Sequence, residues 1–120
     1  ENLNTRVDHP GTLFDRLSDC VGAIRAVGGP GIGLLFDLYH ALQMRESPIE
    51  ELREHAALIR HVQIADLPNR SEPGSGSVDW PARLREVRAL GYDGPVGLEC
   101  TPTTDSKSAT AYARRVLAGA

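Results

Sequence analysis

Three short apolar runs in this chain each carry or end on one oxygen-bearing side chain, and a fourth such segment opens it. Leu34-Leu35-Phe36 stops at Asp37, His61 to Ala65 carries Gln63, and Val96-Gly97-Leu98 stops at Glu99. The opening Glu1-Asn2-Leu3-Asn4 reads as the end of another strand. The four stops, Glu1, Asp37, Gln63 and Glu99, are separated by 36, 26 and 36 residues. That interval suits one strand, one helix and their loops, which is roughly 30 residues per unit in a closed barrel of parallel strands.

The segments between the stops carry helical signals. Leu13, Leu17, Val21 and Ile24 recur at helical spacing, which predicts a helix from about Thr12, its cap, to Val27, closed by Gly28-Gly29-Pro30-Gly31. Ser47-Pro48-Ile49-Glu50 has the form of a capping box and predicts a helix to about Arg60. Asp79 caps a third helix carrying Leu84, Val87 and Leu90 to Gly91, and a last helix is expected from about Ser106 to Leu117. Strands are expected at Ile32–Phe36, His61–Ala65 and Pro95–Cys100. The order β-α-β-α-β-α-β-α favours parallel strands with right-handed crossovers. The predicted fold class is therefore α/β, the C-terminal half (strands 5–8, four βα units) of a (β/α)8 TIM barrel, over residues 1–120.

Four units bury only half of a barrel's inner layers and leave strand edges unpaired. The expectation is a portion of a longer protein, or a half-barrel completed by a second copy in a homo-oligomer. With 41% hydrophobic and 24% charged residues and a formal net charge of -3, nothing favours a nucleic-acid or membrane partner. The two cysteines, Cys20 and Cys100, show no CxxC spacing and are expected to be reduced thiols of a cytoplasmic protein.

Three carboxylates and a carboxamide at one rim form a hard-oxygen donor set, which suits Mg2+ or Mn2+ better than zinc. A divalent cation would also relieve the repulsion among crowded carboxylates.

Longer motifs surround these donors. They are Glu1-x-x-Asn4-x-Arg6-Val7-Asp8-His9-Pro10-Gly11, Leu34-Leu35-Phe36-Asp37-Leu38-Tyr39-His40, the block His61-Val62-Gln63-Ile64-Ala65-Asp66-Leu67-Pro68-x-Arg70-x-Glu72-Pro73-Gly74-x-Gly76, and Gly91-Tyr92-Asp93-Gly94-x-Val96-Gly97-Leu98-Glu99. Together they resemble the hydroxypyruvate isomerase family of the xylose-isomerase-like barrels, from Glu1 to about Pro102. Gln63 and its spacing to Arg70 distinguish the block from ketose 3-epimerases, which usually carry His at that ligand. The resemblance implies Glu1, Asp37, Gln63 and Glu99 as metal ligands, Glu1 and Glu99 as the catalytic acid/base pair, and His40 and Arg70 as substrate contacts. The implied activity is an aldose–ketose isomerisation of a small hydroxy or keto acid, hydroxypyruvate to tartronate semialdehyde, through an enediolate. Alternatives are a ketose 3-epimerase or other sugar isomerase, and a non-catalytic half-barrel. A metal phosphodiesterase on the same barrel would need more His and Asp ligands and a basic groove, which four histidines and this net charge disfavour.

Other residues have readier structural roles. His61 is expected to fill a barrel layer, His55 to face solvent, Asp66 and Glu72 to brace the long 66–78 loop, and Trp80 to anchor packing. His9 fits the site mouth and the Pro10-Gly11 turn equally. Gly74-Ser75-Gly76 lacks a phosphate-loop fingerprint and is expected to be a hinge.

Overall fold

The computed structural model describes residues 1–118; Gly119 and Ala120, the end of the expected 1–120 domain, lie outside the described residues. Three strands, β1 (Leu34–Asp37), β2 (Ile59–Ile64) and β3 (Val96–Leu98), form one parallel sheet in that order. Around it run helices α1 (Leu17–Val27), α2 (Leu38–Gln43), α3 (Pro48–Leu52), α4 (Trp80–Ala89) and α5 (Ser106–Leu117).

Strand alternation divides the sheet's two faces. Leu34, Phe36, Val62 and Ile64 are fully buried and pack with Leu17, Cys20, Ile24, Leu52, Trp80, Leu84 and Val87 into one core. The opposite face carries Asp37, Gln63 and Gly97, which the pairing register places side by side. Glu99 lies two residues beyond Gly97, and its N–H extends the ladder to the Ile64 carbonyl at 3.2 Å. The apolar layer thus holds the sheet while the polar row stands at one end of its other face.

Several expected boundaries move. Residues 1–4 form no strand; the Asn2 side chain instead donates to the Asp37 carbonyl at 3.0 Å and accepts from the Asp37 N–H at 3.1 Å, taking the place of ladder bonds. The first helix begins at Leu17 rather than Thr12, with no side-chain cap from Arg16, so Leu13 and Phe14 are exposed instead of buried. Ser47 makes no side-chain cap bond; Pro48 begins a helix that ends at Leu52, and a 3-10 turn over Ala56–Leu58 follows. β2 consequently starts at Ile59, two residues early. Asp79 and Asp105 do cap α4 and α5, accepting from the N–H groups of Ala82 and Ser108. Both cysteines are free thiols.

Candidate metal and substrate site

Asp37 ends β1 and starts α2 at once. Its Oδ1 accepts the His40 N–H at 3.1 Å as the helix cap, so a three-residue spacing becomes one rigid turn holding both side chains. Both are buried, at 1% and 0% exposure. Glu1 and Glu99 join them at this rim. One ligand atom from each of Glu1, Asp37, His40 and Glu99 lies within 4.8 Å of the others. His40 Nε2 stands 3.9 Å from both Glu1 Oε1 and Asp37 Oδ2. Gln63 occupies the row between Asp37 and Gly97, and its Oε1 is buried without a hydrogen-bond partner. Gly97 leaves room for the His61 ring rather than for Gln63, since a Cβ there would stand 2.9 Å from His61 Nε2 and an ordinary 3.6 Å from Gln63 Cγ.

Such a cluster is electrostatically expensive without a cation. Burial raises the Asp37 carboxyl to about 7, with Glu1 and Glu99 adding repulsion against the helix-cap hydrogen bond. Burial also raises Glu1, with Glu99 contributing. His40 moves the other way: burial, then the Arg70 and His9 charges, lower it to about 4 and leave a neutral ring. Orphaned Gln63 Oε1 and crowded carboxylates fit a divalent hard cation, which would accept from the former and neutralise the latter.

Arg70 comes from the loop between β2 and α4. Its φ is +56°, a conformation that non-glycine residues seldom adopt, and its carbonyl accepts the Thr101 N–H at 2.7 Å. Its Nη2 donates to Glu99 Oε2 at 2.7 Å and lies 3.4 Å from His40 Nε2. The guanidinium also covers the Tyr39 ring, 5.3 Å from its centroid.

Two buried carboxylates shape that loop, as expected. Asp66 accepts from the N–H groups of Leu67, Gly74 and Val78, and Glu72 accepts from the Thr103 N–H and hydroxyl. The glycines act as close-contact positions rather than as a free hinge. A Cβ on Gly76 would collide with the Leu67 carbonyl, and Gly74 is held by Asp66 and by the Tyr112 hydroxyl. Trp80 is fully buried, and His55 bonds Arg25 through Nδ1 at 3.1 Å.

All six singled-out residues, Glu1, Asp37, His40, Gln63, Arg70 and Glu99, therefore lie at the same end of the sheet. His9 joins them, its ring edge-on to His40 with centroids 5.3 Å apart. Sequence reasoning gave no role to Asn2, Asn4, Asp8 or Tyr39. Asn4 bonds His40 and Asp8, and the Tyr39 hydroxyl donates to Asp8 at 2.8 Å. The signal available for Asn2, Asn4 and Asp8 was the density of polar residues in the opening segment, and for Tyr39 its place beside His40 in the second motif.

A sequence profile of the xylose isomerase-like TIM barrel matches residues 1–118. The 2-oxo-tetronate isomerase of Cupriavidus necator is 32% identical over 117 residues, covering 98% of this chain and 45% of that protein. The hydroxypyruvate isomerase of Escherichia coli is 30% identical over 101 residues, 84% of this chain and 39% of that protein. A putative hydroxypyruvate isomerase of Drosophila melanogaster is 38% identical over 96 residues, 79% and 36%. The resemblance read from the motifs is thus borne out. Among solved structures, one titled AP endonuclease, family 2, from Brucella melitensis superposes with a TM-score of 0.83 and 32% identity over 92% of this chain and 43% of that one. A 3-keto-D-glucoside 4-epimerase from E. coli gives 0.78 and 28% over 98% and 42%. The chain spans less than half the length of these relatives. Among the described residues, no helix is long and apolar enough to cross a membrane.

Proposed function

This chain belongs to the xylose isomerase-like TIM-barrel family, and on that premise we propose that it supplies the chemical rim of a divalent-metal aldose–ketose isomerase acting on a small hydroxy or keto acid, with hydroxypyruvate as the substrate. The observation that carries the reading is the clustering of Glu1, Asp37, His40 and Glu99 within 4.8 Å at one sheet end, with the unpartnered Gln63 Oε1 on the strand position paired with Asp37 and the Arg70 cation on Glu99.

In this reading Glu1, Asp37, Gln63 and Glu99 would hold Mg2+ or Mn2+. The ion would polarise the substrate carbonyl and the neighbouring hydroxyl and so acidify the C–H between them. Isomerisation moves one proton from the hydroxymethyl carbon to the adjacent carbonyl carbon, and the hydroxyl proton to the former carbonyl oxygen. Glu1 and Glu99 flank the site, one to take the carbon-bound proton and the other to return one. Burial raises Glu1 toward the range in which a carboxylate is an effective base. Arg70 pairs with the substrate carboxylate, and its planar fork suits a bidentate contact. His40 hydrogen-bonds a substrate oxygen. The Asp66 and Glu72 networks keep the Arg70 loop in register with the residues after Glu99.

Names such as 2-oxo-tetronate isomerase and hydroxypyruvate isomerase support an acidic substrate, and an arginine at the site agrees with one. A sugar epimerase is the second reading, supported by the likeness to the 3-keto-D-glucoside 4-epimerase. Incubating the full-length protein with hydroxypyruvate and Mg2+ or Mn2+ in D2O, followed by NMR, separates them. Formation of tartronate semialdehyde with deuterium at the transferred carbon is expected. No exchange on hydroxypyruvate, with stereochemical inversion of a ketose, would favour the epimerase.

A further inference from the structure

We propose that Asn4 is a positioning residue that fixes His40 in its Nε2–H tautomer, so that His40 presents a hydrogen-bond donor to an anionic ligand oxygen and is not an additional metal ligand. The inference rests on the isomerase reading only for the identity of that ligand.

The argument begins with an amide whose orientation is determined. Asn4 is fully buried. Its Oδ1 accepts from the backbone N–H groups of Val7 and Asp8, both at 3.0 Å. Turning the amide over would set its NH2 against two N–H donors. The NH2 group therefore faces the other way, where it meets Asp8 Oδ2 at 2.6 Å and His40 Nδ1 at 2.6 Å. Every bonding position of this buried amide is then filled, and the Tyr39 hydroxyl holds Asp8 from the far side. The Asn4 backbone N–H also points at His40 Nδ1, from 3.3 Å. Nδ1 is thus met by two donor groups and can only accept.

In a neutral imidazole the proton must then sit on Nε2. Burial supports neutrality, since the ring has no exposed surface. The Nε2 atom faces Glu1 Oε1, Asp37 Oδ2 and Arg70 Nη2. A protonated Nε2 cannot accept from Arg70, so the 3.4 Å approach of these two atoms juxtaposes two donors. One oxygen carrying negative charge, such as that of a carboxylate or an enolate, can accept from both. A metal bound at Nε2 would instead require the lone pair that this tautomer removes.

The experiment is 13C,15N NMR of the histidine rings in the full-length protein at neutral pH, metal-free and with Mg2+, with His40 assigned by the signals that vanish in His40→Gln. Nε2 protonated and Nδ1 unprotonated in both states is the expected result. Protonation at Nδ1, or an unprotonated Nε2 once Mg2+ is bound, overturns the proposal. The double variant Asn4→Asp with Asp8→Asn keeps an acceptor for the two backbone N–H groups and turns the His-facing donor into an acceptor. It should move the proton to Nδ1 and raise KM for hydroxypyruvate by about tenfold or more, with a smaller change in kcat, as expected for a lost charge-assisted hydrogen bond. An unmoved proton in a folded double variant also overturns it. If the protein does not isomerise hydroxypyruvate, the isomerase reading fails while the tautomer result stands.

Discussion

Arg70 Nη2 sits 2.7 Å from Glu99 Oε2, joining a cation of the β2–α4 loop to the carboxylate just beyond β3. The contact crosses between two loops that are also tied through the Arg70 carbonyl and Thr101. It gives Glu99 a partner that a metal ion and a substrate carboxylate would both disturb.

Arg70→Gln should therefore separate two effects. Loss of the guanidinium should raise KM for a carboxylate substrate by roughly ten- to a hundredfold. Affinity for Mn2+ should stay level or rise severalfold, because a competing cation leaves Glu99. Titration calorimetry with Mn2+, alongside steady-state kinetics, checks both. A loss of Mn2+ binding would contradict the assignment of Arg70 to substrate.

Gln63→Leu should change sign between two conditions. Without metal, removing a buried acceptor that has no partner should be neutral or stabilise the fold by about 1 kcal/mol. With Mn2+ present, the variant should lose most of the thermal stabilisation that the ion gives the wild type. Melting curves with EDTA and with Mn2+ provide the comparison.

Asp37 and His40 should give the metal-free protein two opposing pH dependences. The folded Asp37 carboxyl titrates at about 7, above its ordinary 3.8, so the folded state holds a proton that the unfolded chain releases. Its contribution is present at low pH and is lost as pH rises from about 4 to 7, to the extent of about 4 kcal/mol. The folded His40 ring titrates at about 4, below 6.5, so the unfolded chain binds the extra proton. That contribution is present above 6.5 and is lost as pH falls toward 4. The two slopes nearly cancel in the wild type. Asp37→Asn should therefore leave stability rising with pH over this window, and His40→Gln should leave it falling. Urea unfolding in EDTA at several pH values tests the pair.

Gly76→Ala should destabilise the substrate loop before it touches any ligand. The added methyl collides with the Leu67 carbonyl and crowds the Asp66 carboxylate that accepts from Gly74 and Val78. The expected loss is about 2 kcal/mol or more, as for other overpacked sites. Hydrogen exchange at the Gly74 and Val78 amides should accelerate. Unaltered exchange would show that the loop does not depend on this contact.

How much was legible locally can be judged from particular residues. Asp79 announced its helix because an acid before a Trp-Pro start supplies a cap from within three residues. Ser47-Pro48-Ile49-Glu50 carried as strong a signal, yet its serine makes no cap bond and the helix ends after Leu52. Leu13 and Phe14 matched the helical period but lie before the first turn, because the opening loop is held elsewhere: the Leu3 N–H bonds the Phe14 carbonyl at 2.9 Å. Periodicity reports which side chains would share a face if the helix extended that far, and it carries no information about where the chain is diverted.

The sequence by itself determined the parallel α/β architecture, the polar row of Asp37, Gln63 and Glu99, and the placing of Glu1, His40 and Arg70 for consideration. The architecture and the polar row follow from strand alternation and from residue types within a few positions of one another, whereas Arg70 was singled out only by the family resemblance of its motif, since alone it reads as a solvated loop charge. The tertiary structure alone decided that Asn2 would take the backbone bonds of Asp37, that Asn4 would meet His40 across 36 residues, and that Arg70 would lean on Glu99 from a left-handed backbone conformation. Those contacts depend on which loops the packed sheet brings together, and a hydrogen bond between distant segments leaves no period in the chain.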